Sequence, residues 1–227
     1  MTQRYRVGPA GYPQHVVQRG VNRMPCFREE DDRAAYAHWM GVAAAKYRVD
    51  IHAWVFMTNH VHLLVTPRKD LAVSRFMQYL GRFYVRYFNA TYDRSGTLWE
   101  GRFFASVIEE DAYFLACQRY IELNPVRAGI TEKPDEYHWS SYHANGMGLD
   151  SMLASPHPLY LGLGRSRNAR QKSYRELCGE SVSEQESAKI RNALRTESIL
   201  GSIGFIKSLE KITGRRLRPQ APGEPAK

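Results

Sequence analysis

The period of apolar and polar positions changes several times along the first 125 residues, and each change predicts an element. Residues 13–22, PQHVVQRGVN, read as a first strand ending near Gly20. Residues 29–49 set Ala35, Trp39, Val42 and Ala43 on one helical face behind a run of acids, which suits a helix N-terminus. Residues 50–57, DIHAWVFM, alternate as a second strand, and residues 59–67, NHVHLLVTP, as a third, with MTNH as the turn between them. Asp70 is expected to cap a helix running to about Asn89, whose Phe76, Leu80, Tyr84 and Phe88 recur every four residues. DRSG at 93–96 marks a turn, residues 97–109 read as a fourth strand kinked at Gly101, and Asp111 is expected to cap a helix over 112–123.

The resulting order, β-α-β-β-α-β-α, begins with the split βαβ pattern. The expected fold class is therefore α+β, a ferredoxin-like antiparallel sheet with helices on one face and the other face free for a ligand or a further layer. Beyond residue 148 the pattern weakens. SYRELCGE, SEQESAKIRNALR and GFIKSLEKITGRR suggest short helices, and PQAPGEPAK has the composition of a disordered end. A boundary near 150 divides the chain into a domain over 1–150 and a basic, partly helical extension over 151–227.

Composition narrows the class of function. A chain of 227 residues with 43% hydrophobic content can pack one domain with an appendage. It has no run of eighteen apolar residues, so no membrane span is expected, and its first fifteen residues hold no apolar secretory stretch. Cys26, Cys117 and Cys178 are widely spaced and form no CxxC pair. That argues against a disulfide framework and a thiolate zinc site, and fits a reducing cytoplasm. The formal net charge of +9 is uneven: residues 151–227 carry 14 Lys and Arg against 7 Asp and Glu, residues 1–150 carry 18 against 16. Arginine outnumbers lysine 24 to 8, and its forked guanidinium suits phosphates, so the expected partner is a nucleic acid.

The candidate chemistry starts at His60 and His62. In a strand, residues two apart share a face, so these imidazoles stand side by side where they could grip a divalent cation. The same spacing arises from two hydrogen-bonded histidines on a half-polar face, and the pair alone leaves both readings open. No four-ligand set for a structural zinc is visible, whereas an incomplete protein shell leaves positions for water and a phosphate oxygen. His52 reads as a core or supporting histidine, sharing a face with Trp54 and Phe56; His15 is equally ambiguous. Tyr120 and Asn124 lie four apart on the last helix, offering a phenol that needs activation and an amide oxygen that a hard cation accepts. Tyr120 reads equally well as a core-edge residue. Pro125 pushes its predecessor away from the α region, so the helix is expected to end at Leu123 or Asn124.

Several basic residues could meet DNA. Arg75, Arg82 and Arg86 form a stripe with Tyr79 on the second helix. Gln18 and Arg19 end the first strand, and Arg102, Arg119 and Arg127 flank the proposed centre. Solvated faces and surface ion pairs explain such residues as readily. RSRNARQKSYR and GRRLR in the extension could clamp a nucleic acid or occlude the site.

HVVQRGVNRMPCF, HAWVFMTNHVHLLVTP, GTLWEGRFFASVIE, RYIELNPVRAGI and YHWSSY follow one another across about residues 14–145. Together they resemble the REP-associated tyrosine transposases, which are HUH single-strand endonucleases related to small single-strand transposases of bacterial insertion sequences. Each motif is weak alone; in series they are specific. The resemblance implies metal-dependent cleavage and rejoining of single-stranded DNA beside palindromic hairpins through a 5′-phosphotyrosine, without ATP. His60, Val61 and His62 match the His-hydrophobe-His metal motif and Tyr120 the nucleophile. Asn124 falls where relatives place a polar third ligand, often Gln. The implied cofactor is Mg²⁺ or Mn²⁺, and the implied partner single-stranded or hairpin DNA. A monomer is expected, with the extension covering a surface that could otherwise pair; a dimer is the alternative. The rival readings are a non-catalytic single-stranded nucleic-acid binder on the same fold, a metal hydrolase using Glu122 as base, and an inactive relative.

Overall fold

The computed structural model describes residues 8–180 and 182–217, so the stretch 219–227, expected to be disordered, lies outside the described residues. In chain order the elements are β1 (Gln14–Arg19), α1 (Glu30–Tyr47), β2 (Val49–Met57), β3 (His60–Pro67), α2 (Ala72–Thr91), β4 (Phe104–Val107) and α3 (Glu110–Glu122). The short helices α4 (Asn124–Arg127), α5 (Tyr142–Asn145) and α6 (Pro158–Leu161) follow, then α7 (Arg167–Gly179), α8 (Glu184–Thr196) and α9 (Ile203–Thr213). The strands form one antiparallel sheet in the order β2-β3-β1-β4, the split βαβ arrangement expected from the sequence.

Alternation along β3 sets the layers. Val61, Leu63 and Val65 enter the core beneath α1 and α2, while Leu64 joins a second core with Phe114, Cys117 and Ile121 of α3. α2 buries Phe76, Leu80, Tyr84 and Phe88 as its period predicts. α1 instead buries Asp32, Tyr36, Met40 and Ala43, so its inner stripe is rotated from the expected one. Trp39 is half-buried and stacks on Phe83 with centroids 4.5 Å apart. Asp32 supports the rotated stripe because its carboxylate accepts the N–H groups of Arg28 and Glu29 and the Tyr92 hydroxyl. Asp70 does not cap α2; its Oδ1 accepts from Ala10 N–H, and a left-handed Leu71 (φ 60) precedes the helix. Asp111 lies inside the first turn of α3, which starts earlier than expected after Glu109.

The fourth strand is shorter than 97–109. Gly101 has φ 131, outside the strand region, and Trp99 makes only an isolated bridge to Gly20. A bulge at Ile51/Ala53 also changes a face: His52 packs on Phe114, on the other side of the sheet from Trp54 and Phe56.

α3 lies over β2 and β3, and α8 of the extension lies against β4 and β1, so much of the second face carries the further layer that was one of its two expected uses. Segments of the same chain pair with the β2 edge along much of its length and with the β4 edge only at its far end. Phe56 N–H donates to Trp139 O, Ser141 N–H to Trp54 O, and Ser155 N–H to Ile51 O along β2. Leu200 N–H donates to Val107 O and Glu109 N–H to Leu200 O along β4. Glu122 is the polar anchor between these layers. Its carboxylate accepts from Ser141 Oγ, from Asn145 Nδ2 at 2.7 Å and from Tyr174 OH at 2.6 Å. Burial pushes this carboxyl up to about 7 against the pull of those three donors. No helix among the described residues is long and apolar enough to cross a membrane, and the three cysteines are buried and free.

Candidate active site

The second face holds the histidine pair, with His62 buried and His60 half-buried. Register places His62 beside Val17 and His60 beside Arg19, so both imidazoles rise from the same face, with ring centroids 5.0 Å apart. α3 brings Tyr120 over them: its ring centroid lies 6.1 Å from His62 and 5.8 Å from His15. The Tyr120 ring is only 5% exposed, yet its hydroxyl makes no hydrogen bond among the described residues and is not sealed from solvent. Arg127, on the turn after α3, sets its guanidinium carbon 4.3 Å from the Tyr120 ring centroid.

Hydrogen bonds fix the imidazoles. Asn59 Nδ2 donates to Arg23 O at 3.2 Å, which leaves Asn59 Oδ1 as an acceptor for His60 Nδ1–H at 2.6 Å. His60 Nε2 therefore presents its lone pair. His62 Nδ1 lies 2.9 Å from His15 Nε2, so His62 Nδ1–H can donate to His15 Nε2 and leave His62 Nε2 open in the same way. Burial keeps these rings neutral, lowering His60 to about 4, His15 to about 3 and His62 well below its ordinary value. Neutral imidazoles are the form that binds metal.

A tight turn supports this arrangement. A side chain at Gly20 would put its Cβ 2.2 Å from Met24 O, so the position requires glycine. Asn22 (φ 52) and Arg23 (φ 59) are both left-handed, strain of the kind that gathers at functional sites. Arg23 O is the carbonyl that holds Asn59.

α3 ends at Glu122, one residue before the earlier of the two expected ends; the break falls at Leu123 (φ -86, ψ 3), and Asn124, although it precedes Pro125, opens α4 as a helical residue. Asn124 is half-buried, one turn past Tyr120, and its side chain makes no hydrogen bond among the described residues. Among the described residues no group of three or more His, Cys, Asp and Glu is arranged to hold a metal. A cation here would take the two imidazoles and an amide oxygen such as that of Asn124, with water or substrate completing its shell. Two open Nε2 atoms on neutral, oriented rings fit that donor set.

The other expected residues divide. Arg19 is exposed beside His60, and Arg102 is exposed on the loop before β4. Gln18 alternates with Val17, pointing with Val16 toward the α1–α2 layer, where its Oε1 is buried without a partner. Arg119 turns to the extension, donating to Leu177 O at 2.6 Å and Glu180 O at 3.3 Å. Arg75, Arg82 and Arg86 are exposed on α2, across the sheet from the histidines. In the extension, Arg167, Arg170 and Arg175 donate to the carbonyls of Gly148, Gly164 and Gly146. Asn59 is a site residue the sequence reading did not name, and His15 was left there between a core and a supporting role; only the β1–β3 register brings the His15 and His62 rings together.

Comparison with known proteins bears on the whole arrangement. The family model described as "Transposase IS200 like" matches residues 11–124, half of the chain. No curated protein matches. Among solved structures, a REP-associated tyrosine transposase bound to a REP hairpin aligns with 69% of this chain and 93% of its own, at 18% identity and a TM-score of 0.57. A protein from Deinococcus radiodurans described as a transposase aligns with 53% of this chain and 96% of its own, at 17% identity and a TM-score of 0.38. The first likeness is one of fold.

Proposed function

Because the chain belongs to the IS200-like transposase family, we propose that it cuts and rejoins single-stranded DNA beside a hairpin, with Tyr120 as nucleophile. His60, His62 and Asn124 are the ligands of Mg²⁺ or Mn²⁺. The observation that carries this reading is the Tyr120 ring 6.1 Å from His62, over a pair of oriented imidazoles with open Nε2 atoms. A cation bound there would neutralise charge on the scissile phosphate. Tyr120 Oη attacks phosphorus, the 3′ oxygen leaves as a hydroxyl, and the new 5′ end is carried as a phosphotyrosine. One phosphodiester replaces another, so the step needs no ATP and a 3′-hydroxyl can reverse it. Arg127 and Arg19, on either side of the pair, hold the strand through its phosphates. Residues 1–150 carry the chemistry. The described part of the extension completes the packing around it, and a β2 edge paired within the chain favours a monomer.

The hydrolase alternative is weaker because Glu122, its only nearby carboxylate on that helix, is fully buried and engaged by Ser141, Asn145 and Tyr174. A test is direct. The protein is incubated with an end-labelled single-stranded hairpin oligonucleotide and Mn²⁺, then denatured in SDS. A covalent protein–DNA adduct is expected. Cleavage without an adduct would indicate a hydrolase, and retention without cleavage a binder.

His15 gives a second test, because its bond to His62 orients a metal ligand. His15→Leu is expected to weaken Mn²⁺ binding about 10- to 100-fold, while His15→Gln, which keeps an acceptor, retains most of it. Calorimetric titration of Mn²⁺ measures both, with the melting temperature as the control for folding. Equal affinity in wild type and His15→Leu would remove His15 from the site.

A further inference from the structure

We propose that Phe104 is a stacking platform for one unpaired nucleobase next to the cleaved phosphate, an inference that rests on the single-strand reading above. Phe104 pairs in register with Val17, Val17 with His62, and His62 with Val55. Cross-strand partners share a face, and Ala105 goes to the α1–α2 core, so Phe104 rises from the histidine face. Neighbouring strands lie about 4.8 Å apart, which puts the Phe104 Cα about 10 Å from that of His62.

This row is closed at one end and open at the other. Val55 is 0% exposed in the core beneath α3, whereas Phe104 is 41% exposed. The covering of β4 stops short of it. Ser106 Oγ donates to Ser198 O at 2.6 Å and Leu200 N–H to Val107 O at 2.8 Å, both beyond Phe104. The two phenylalanines of the RFFAS stretch therefore part, with Phe103 in the core and Phe104 in solvent.

A single exposed phenylalanine is ordinary on its own. Its surroundings distinguish it. Arg19 lies one row along the same face on β1, and Arg102 precedes Phe104 by two residues. Both are exposed, and neither pairs with a carboxylate among the described residues. A flat aromatic face flanked by guanidinium groups is the composition of single-strand sites, where the ring takes a base and the cations take the backbone. A base held in a duplex stack cannot present its face to the ring, so the ligand is a base of the unpaired strand within one or two nucleotides of the phosphate at the histidines.

The test uses the full chain, Phe104→Ala and Phe104→Trp, with single-stranded hairpin oligonucleotides carrying one abasic site at successive positions around the cut. Binding is measured without metal, so that nothing is cleaved. Phe104→Ala is expected to bind the intact oligonucleotide about 5- to 150-fold more weakly, with unchanged melting temperature, and Phe104→Trp to bind as wild type. One abasic position should weaken wild type by a similar factor and cost Phe104→Ala nothing further; that position identifies the stacked base. Unchanged affinity in Phe104→Ala would overturn the proposal. So would a loss that adds fully to every abasic site, or a change of oligomeric state in place of a loss of DNA affinity. The Tyr120 adduct is followed separately in wild type, at saturating DNA with Mn²⁺. Absence of that adduct in wild type would count against the transposase chemistry and leave the binding comparison to decide on Phe104.

Discussion

Tyr120→Phe is expected to abolish the covalent protein–DNA adduct and to lower strand cleavage at least about a thousandfold, the scale seen when an enzyme loses its nucleophile. The substitution removes one oxygen and keeps the ring. The ring makes the edge contacts with His15 and His62 and lies under the Arg127 guanidinium, whereas the hydroxyl has no hydrogen-bond partner among the described residues. Stability should therefore change by less than about 1 kcal/mol, and affinity for single-stranded DNA and Mn²⁺ should stay at the wild-type level. Single-turnover cleavage of labelled DNA, with binding measured in parallel, separates these effects. Persistence of an SDS-stable adduct in the variant would place the nucleophile elsewhere.

The largest effect on stability is expected from Glu122→Ala. The change strands the donors of Ser141, Asn145 and Tyr174 and opens a cavity between α3, α5 and α7. A loss of about 3–5 kcal/mol in urea unfolding is expected. Glu122→Gln, which keeps most of the volume and an acceptor, should lose less. The carboxyl also carries a pH signature. Its folded pKa of about 7 lies above the ordinary 4.5, so the proton is held more tightly in the folded chain. Its contribution is fully present below pH about 4.5 and is lost as pH rises through about 7, a change of about 3 kcal/mol. His15 and His60 act in the opposite sense. Their folded values of about 3 and 4 mean that stability falls as pH drops below 6.5. The difference between wild type and Glu122→Gln isolates the carboxyl: it should narrow as pH rises from 4.5 to 7. A difference independent of pH would show that Glu122 keeps an ordinary carboxylate.

Much of the first 125 residues was legible in the sequence because the signals there are local. The four-residue repeat of Phe76, Leu80, Tyr84 and Phe88 states the buried side of α2, and spacing by two states that His60 and His62 share a face. Pro125 marks the neighbourhood of the helix break, although the break falls at Leu123 and not at the residue before the proline. What escaped depends on long-range pairing. His15 reaches His62 across 47 residues of sequence, and only the β1–β3 register makes them partners. The face of His52 turned on a bulge whose residue, HAW, carries no turn signal. The inner stripe of α1 was misplaced because its many alanines and glycine blur the period, and Asp32 is held inward by partners on either side of the helix start. Arginines were the least legible. Arg119 and Arg127 both read as flanking the centre, yet one caps carbonyls of the extension while the other lies on Tyr120.

The central claim is that Tyr120 bonds to the DNA beside the histidine pair, and peptide mapping of the adduct tests it most directly. Trypsin cleaves after Arg119 and Arg127, so Tyr120 is carried in the peptide YIELNPVR. After reaction with a single-stranded hairpin oligonucleotide and Mn²⁺, nuclease trimming and tandem mass spectrometry, the remaining nucleotide phosphate should sit on the tyrosine of that peptide. A nucleotide on any other residue, or cleaved DNA with YIELNPVR unmodified throughout the reaction, would contradict the assignment.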